Sequence, residues 1–258
     1  MRADQSFMFK RAAPFTPADP RRTLRWLPML TALLFFFSFG TAAGQKAGTD
    51  TPPGKASSAT SAQPAPGEWQ SLFDGKSLGG WQQTPFTGRG QVRIVNGTIL
   101  LGAGEEMTGI TWTKGFPKSN YEVRLEAVRM QGNDFFATMT FPVKDSYCSW
   151  VTGGWGGDIV GLSSLDGWDA SDNETRSYYQ FQNGQWYSLR LRVTDDVIEA
   201  WIDNDMVIRV ALKGRRIGLR FGEIKLSAPF GFAAYVTTGG LRKLEYRLLP
   251  AAAGVKYM

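Results

Sequence analysis

Apolar and polar residues alternate with a period of two along much of the chain, which is the pattern of half-buried β-strands. In 121–127, Tyr, Val, Leu and Ala alternate with Glu and Arg, and in 189–193 Leu and Val alternate with Arg. Residues 198–203 alternate in the same way. No helical periodicity of useful length is present. The pattern therefore predicts an all-β, antiparallel sandwich or barrel.

Turn residues divide this pattern into short strands. Asn96–Gly97 separates two apolar runs, 92–95 and 98–101, and predicts a two-residue hairpin. Asn204–Asp205 predicts a turn before another strand, 206–210. No internal repeat of fixed period is visible, which argues against a propeller.

Composition divides the chain into four parts. Residues 1–43 have a basic flank, a short apolar run and small residues ending at Ala43, which predicts a secretory signal peptide and a secreted or periplasmic protein. An uncleaved membrane anchor is the alternative. Residues 44–67, rich in Pro, Ala and Ser, predict a flexible linker, and 250–258 a C-terminal tail. One folded domain is expected over 68–249.

Charge and residue types exclude several classes of function. The net charge is +6, but removing the six Lys/Arg and two Asp/Glu of residues 1–43 from totals of 29 and 23 leaves 23 and 21. A domain with such balanced charge lacks the clustered basic face that nucleic-acid binding requires. The chain has no histidine, which excludes imidazole-based hydrolases and zinc proteases. The single cysteine, Cys148, is expected to be a buried, unreactive side chain.

The start of the domain, Glu68 to Trp81, combines large apolar anchors with the turn signal Asp74–Gly75. The anchors are Trp69, Leu72, Phe73, Leu78 and Trp81. This segment resembles the opening motif of the 3-keto-disaccharide (3-keto-glycoside) hydrolase/lyase family, formerly a domain of unknown function. The resemblance continues at Asn96–Gly97, 121–126, 184–191 and 198–204.

The resemblance implies a two-sheet jelly-roll sandwich of the concanavalin A type and an activity on glycosides. The chain also departs from the family pattern. Many members carry Gly-Asn-Ser-Gly, a downstream Arg and a Tyr-Glu segment, whereas this chain has Gly132-Asn133-Asp134, no such Arg, and Tyr147-Cys148 in place of Tyr-Glu. The chain is therefore expected to be a secreted carbohydrate-active domain, with glycoside or 3-keto-glycoside hydrolysis as the favoured activity. The alternatives are a non-catalytic, lectin-like module for glycan or protein, and a structural envelope domain.

The segment Trp150 to Glu174 is rich in Trp, Gly and Asp. Flat indoles suit the apolar faces of sugar rings, and carboxylates suit their hydroxyl groups. The segment therefore predicts a site for a glycoside or polysaccharide. The alternative is a set of Gly- and Asp-rich turns whose indoles complete the core.

Glycosidic cleavage requires positioned carboxyl groups, and cleavage of a 3-keto sugar by elimination requires a base and an electrophile for the carbonyl. The predicted catalytic acids are Asp134, Asp158 and Asp166. The predicted substrate-binding residues are Arg124, Asn133, Trp150, Trp155 and Trp168. Arg124, Lys144 or a cation are candidates for the electrophile. No cofactor is predicted, and the spacing of Asp166, Asp169 and Asp172 indicates calcium only weakly because it does not match an EF-hand.

Overall fold

The computed structural model describes residues 66–250, which form fifteen β-strands and one short 3-10 helix, Glu223–Ser227. The predicted signal peptide and most of the linker and tail lie outside these residues. Within the described part, no helix has the length and apolarity needed to span a membrane. The strands are β1 (Gln70–Ser71), β2 (Trp81–Gln83), β3 (Val92–Val95), β4 (Thr98–Leu101), β5 (Met107–Trp112), β6 (Tyr121–Gln131), β7 (Thr138–Val143), β8 (Ser146–Gly154), β9 (Ile159–Ser163), β10 (Ser177–Tyr178), β11 (Trp186–Val193), β12 (Val197–Ile202), β13 (Asp205–Ala211), β14 (Gly231–Tyr235) and β15 (Thr238–Leu248).

The strands form two antiparallel sheets that pack as an open jelly-roll sandwich. The eight-stranded sheet has the order β13-β12-β11-β6-β15-β4-β3, with β1 added against β15. The seven-stranded sheet has the order β10-β9-β8-β7-β14-β5-β2. The all-β, two-sheet prediction is confirmed.

The predicted alternation places one face of each strand in the core. On β11, Leu189, Leu191 and Val193 are fully buried, while Arg190 and Arg192 lie on the outer face. The hairpin at Asn96–Gly97 joins β3 and β4 as predicted. The next predicted turn is shifted by one residue, because Asp205 already pairs with Ile202.

The opening motif anchors the sandwich. Trp81 is 4% exposed, and its Nε1–H donates to the carbonyl oxygen of Leu72 at 2.8 Å. Its ring packs edge-on against Trp112 at 5.0 Å and against Phe230 and Phe232. Such rings contribute a large buried apolar area together with specific edge-to-face contacts. This motif therefore stabilises the fold.

The outer face of the eight-stranded sheet carries a row of alternating charges in register across five strands. The row is Arg209 on β13, Glu199 on β12, Arg192 on β11, Glu122 on β6 and Arg247 on β15. The side chains of Glu199 and Glu122 are 0% and 2% exposed and accept hydrogen bonds from arginines. Buried carboxylates require such partners, so the arginines predicted to face solvent also cover these glutamates.

Candidate functional site

An open cleft of about 860 Å³ lies over the outer face of the seven-stranded sheet. Its floor is formed by Thr138 on β7, Ser149 and Val151 on β8, and Ser163 on β9. Their neighbours Trp150 and Leu162 point the other way, into the core. A cavity of this size is in the range of small-molecule sites.

Three chain segments meet at one end of the cleft, where β14 ends. The N–H of Tyr235 donates to the carbonyl of Phe135 at 2.9 Å, and the N–H of Val236 donates to the carbonyl of Glu106 at 3.0 Å. The N–H of Asp134 donates to the hydroxyl of Thr237 at 3.1 Å. These bonds place Asp134 and Glu106 on either side of the same turn.

Asp134 also fixes the turn that follows β8. Its Oδ1 accepts the N–H of Phe135 at 2.7 Å, and its Oδ2 accepts the N–H of Gly156 at 3.2 Å. Trp155, the residue before Gly156, has φ 50° and is 41% exposed. The carboxylate and the indole therefore line the cleft together.

Arg129 supports this turn from below. It is 7% exposed, and its guanidinium donates to the carbonyls of Gly157 (3.0 Å) and Phe181 and to Oδ1 of Asn183 (2.7 Å). Burial lowers the pKa of this guanidinium, and the charge of Asp134 opposes that effect. The buried cation thus holds together the loops behind the cleft.

The opposite wall is the segment leading into the 3-10 helix. Arg220 donates to Oδ2 of Asp169 at 2.6 Å and lies 5.6 Å from the centre of the Trp155 ring. Glu223 accepts the hydroxyl of Thr87 at 2.6 Å and its N–H at 2.8 Å. These hydrogen bonds, first that from the hydroxyl, lower the pKa of Glu223. Glu223 is therefore an anion that fixes the wall.

Two further carboxylates, Glu105 and Glu106, line the cleft and are exposed. Within residues 66–250, neither side chain forms a salt bridge or a hydrogen bond. Together with Asp134 they give this end of the cleft a negative charge. Such groups can accept hydrogen bonds from sugar hydroxyls or take a proton from a bound ligand.

The structure brings some predicted site residues together. Asp134 and Trp155 line the cleft, and the carbonyl of Asn133 lies behind the turn at Gly157. Trp150 is fully buried in the core between the sheets. Trp168 is 63% exposed and lies beside the far wall, next to Asp169.

The other predicted residues lie away from the cleft lining. Asp158 is exposed on the turn after β8, where its carbonyl accepts the N–H of Tyr179. Asp166 accepts hydrogen bonds from the backbone N–H of Arg216 and the guanidinium of Arg215, which lower its pKa. Arg124 lies on the outer face of the other sheet, 4.0 Å from the Trp69 ring and paired with Glu245.

Sequence reasoning missed Glu105, Glu106, Arg220, Glu223 and Tyr235. They come from three separate parts of the chain, and no local motif marks them. The turn-forming glycines around 102–104 and 222 were the available signal, because loops between short strands carry binding groups.

No group of three or more Asp, Glu or Cys side chains in residues 66–250 is arranged to hold a metal ion. In the weak calcium candidate, Asp166 and Asp169 each bind an arginine and Asp172 binds the hydroxyl of Ser171. Cys148 is buried, and burial raises the pKa of its thiol to about 12. The burial confirms the expectation of a buried cysteine, and the raised pKa predicts that its thiol is unreactive.

Several solved structures of low sequence identity have a similar shape. A glycosyl hydrolase-type protein from Parabacteroides distasonis ATCC 8503 has 13% identity and a TM-score of 0.47, covering 70% of this chain and 94% of that one. A carbohydrate-binding module from Bacillus subtilis has 12% identity and a TM-score of 0.42, with coverage of 65% and 95%. Domain 4 of an extracellular arabinanase from Geobacillus stearothermophilus has 17% identity and a TM-score of 0.43, with coverage of 65% and 82%.

Comparison of the sequence with known proteins and with family models shows to which family the chain is related. No curated protein sequence matches it. The sequence model of the 3-keto-alpha-glucoside-1,2-lyase-like domain, the 3-keto-disaccharide hydrolase family, matches residues 68–228 and so includes both Asp134 and Arg220. The chain belongs to the 3-keto-alpha-glucoside-1,2-lyase-like domain family.

Proposed function

We propose that this domain binds a 3-keto-glycoside in the cleft and cleaves its glycosidic bond by elimination. The observation that carries the proposal is the meeting of Asp134, Glu106 and the Trp155 indole at one end of an open cleft, in a chain of this family. The cleft offers an aromatic face for a sugar ring and carboxylates for its hydroxyl groups.

The chemistry follows from the ketone. A carbonyl at C3 makes the proton on C2 acidic. Asp134 takes that proton, and the electron pair forms an enolate with the C3 oxygen. When the enolate collapses, a C1–C2 double bond forms and the bond from C1 to the leaving oxygen breaks. In this proposal Glu106, which also lines the cleft, enters the reaction in its protonated form and gives its proton to the leaving oxygen. The products are an unsaturated 3-keto sugar and an alcohol.

Arg220 is the cation available to the developing enolate. It is the only Lys or Arg among the described residues lining the cleft. Its contact with Asp169 uses one of its nitrogens, Nη1, and leaves other N–H groups free to donate. Preorganised donors of this kind stabilise an oxyanion in a transition state. Arg220 therefore takes the role for which sequence reasoning considered Arg124 and Lys144.

A turnover assay tests this proposal. The purified domain is incubated with a p-nitrophenyl 3-keto-α-glucoside, and release of nitrophenol and formation of the conjugated enone are followed by absorbance. We expect Asp134→Asn to lose at least about a hundredfold in rate, the lower range for removal of a general base. Asp158→Asn is the matched control, because Asp158 is a nearby exposed acid outside the cleft lining. Equal rates in wild type and Asp134→Asn would reject the assignment of the base.

A lectin-like module is the second candidate. The observation that favours it is the Asp169–Arg220 ion pair, which reduces the charge that Arg220 can offer to an oxyanion. This candidate predicts calorimetric binding of a glycoside without turnover, and loss of that binding in Trp155→Ala. If calorimetry detects no binding and the turnover assay detects no product, both candidates are rejected.

The proposal also includes export of the domain from the cytoplasm. Residues 1–43 serve as a signal peptide and 44–67 as a linker in this account, so that the domain meets its glycoside outside the cytoplasm. Mass spectrometry of the N-terminus of protein from the extracytoplasmic fraction tests this, with processing after Ala43 expected. Recovery of the full-length chain from the cytoplasm would contradict it.

A further inference from the structure

A line of exposed aromatic side chains continues from the cleft across its far wall. We call Trp155, Phe221 and Trp168 the aromatic ridge. They are 41%, 100% and 63% exposed, although Phe and Trp are among the largest apolar side chains. Large exposed apolar patches on soluble proteins mark interaction or ligand sites.

Backbone hydrogen bonds join the chain segments that carry Trp168 and Phe221. Backbone hydrogen bonds pair Ser164 with Gly218 (2.7 and 3.1 Å) and Asp166 with Arg216 (2.8 Å). The ladder is antiparallel, but Leu165 also pairs with Trp168, so the chain turns back and Trp168 lies beside the first segment. Phe221 follows the second segment. The two aromatic residues are therefore carried by neighbouring chain segments.

Arg220 connects the ridge to the cleft. Its guanidinium bonds to Asp169, which is next to Trp168, and also lies near the Trp155 ring. Trp155 and Phe221 themselves line the cleft. The ridge is thus a continuation of the cleft wall.

The charges of the ridge indicate its occupant. Arg220 and Asp169 neutralise each other, so the ridge selects neither a polyanion nor a polycation. Aromatic faces separated by polar groups suit a neutral oligosaccharide, whose rings have apolar faces and hydroxyl edges. Resting on the proposed function, we infer that the natural glycoside is an oligosaccharide longer than a disaccharide and that its outer sugar rings lie on the aromatic ridge.

Chain-length dependence of binding tests this inference. Malto- and cello-oligosaccharides of two to six residues are titrated by calorimetry into wild type, Phe221→Ala and Trp168→Ala. We expect affinity in one series to rise with length in wild type. Each substitution should reduce affinity for the longest ligand about three- to tenfold, the range expected for a lost aromatic contact. Trp168→Ala, which lies outside the cleft lining, should leave disaccharide affinity within about twofold.

The control is Met206→Ala, which removes a 48% exposed apolar side chain from the other sheet and should change nothing. All three positions are exposed, so folding should be preserved. Disaccharide binding without any gain from added length, or a gain that survives in both ridge variants, overturns the inference while the proposed cleft stands. Failure of every ligand, disaccharides included, overturns the inference, and the proposed function is then decided separately by the turnover assay with the 3-keto-α-glucoside.

Discussion

Replacing Glu199 with Gln should destabilise the domain strongly, although the site is far from any candidate chemistry. The Glu199 side chain is fully buried beneath two arginines of the outer face. Its Oε2 accepts Nε of Arg192 at 2.6 Å, and its Oε1 accepts from Arg209. Gln keeps the volume but removes the charge, and its amide NH₂ must then face a guanidinium, donor against donor.

The magnitude follows from burial. Breaking a buried ion pair by removing one partner costs about 3–5 kcal/mol. Arg192 and Arg209 are 41% and 65% exposed and can turn towards water, which lowers the expected cost to about 2–3 kcal/mol. For a domain of this size, that loss corresponds to a decrease of roughly 4–12 °C in Tm.

Urea denaturation followed by tryptophan fluorescence measures this loss directly. Glu245→Gln is the matched control, because Glu245 lies on the same face and pairs with Arg124, but both side chains are partly exposed at 30% and 45%. That control should cost less than about 1 kcal/mol. Equal stability losses in the two variants, or a Glu199→Gln protein as stable as wild type, would refute the reasoning from burial.

Three further predictions concern single groups. Trp81→Phe removes the hydrogen bond to the carbonyl of Leu72 and part of the indole volume, and should cost about 2–4 kcal/mol in urea denaturation; a loss below about 1 kcal/mol would contradict the anchoring role. Cys148 should react with a thiol reagent at pH 8 only as fast as the protein unfolds, because its thiol is buried with a pKa of about 12; rapid reaction of the native protein would contradict this. Hydrogen bonds from the N–H groups of Ser77 and Lys76 and from the Ser77 hydroxyl lower the pKa of Asp74 to about 2. The ionised carboxylate therefore stabilises the fold above pH 4, and this contribution is lost as the pH falls towards 2. The difference in urea midpoint between wild type and Asp74→Asn should shrink over that range, and a constant difference would be evidence against it.

Local pattern was sufficient for the regularly alternating strands and for the first hairpin, but not for β8 and β9, which lie partly in the segment interpreted as a site or a set of turns. Alternation over 189–193 specifies which side chains enter the core, because neighbouring residues of a strand point to opposite faces. Asn96 and Gly97 adopt the positive φ values, 49° and 72°, that their two-residue turn requires. The choice of a jelly roll came from the family resemblance, since alternation does not specify how strands are ordered in sheets.

The candidate site could be predicted only in part. Asp134 and Trp155 were found because they stand in loops of unusual composition. Glu106 and Arg220 were missed because their positions depend on backbone pairing with segments that are distant in the chain, near Val236 for Glu106 and near Ser164 for Arg220. Trp150 has the composition of a sugar-binding residue, but the register of β8 turns it into the core.

The most direct test of the central claim is a crystal structure of the Asp134→Asn variant soaked with a 3-keto-α-glucoside. The account predicts a sugar ring in the cleft of the seven-stranded sheet, stacked on Trp155, with its C2 beside residue 134 and its C3 oxygen facing Arg220. A sugar bound elsewhere on the domain, or an empty cleft at a ligand concentration that saturates the wild-type protein, would contradict it.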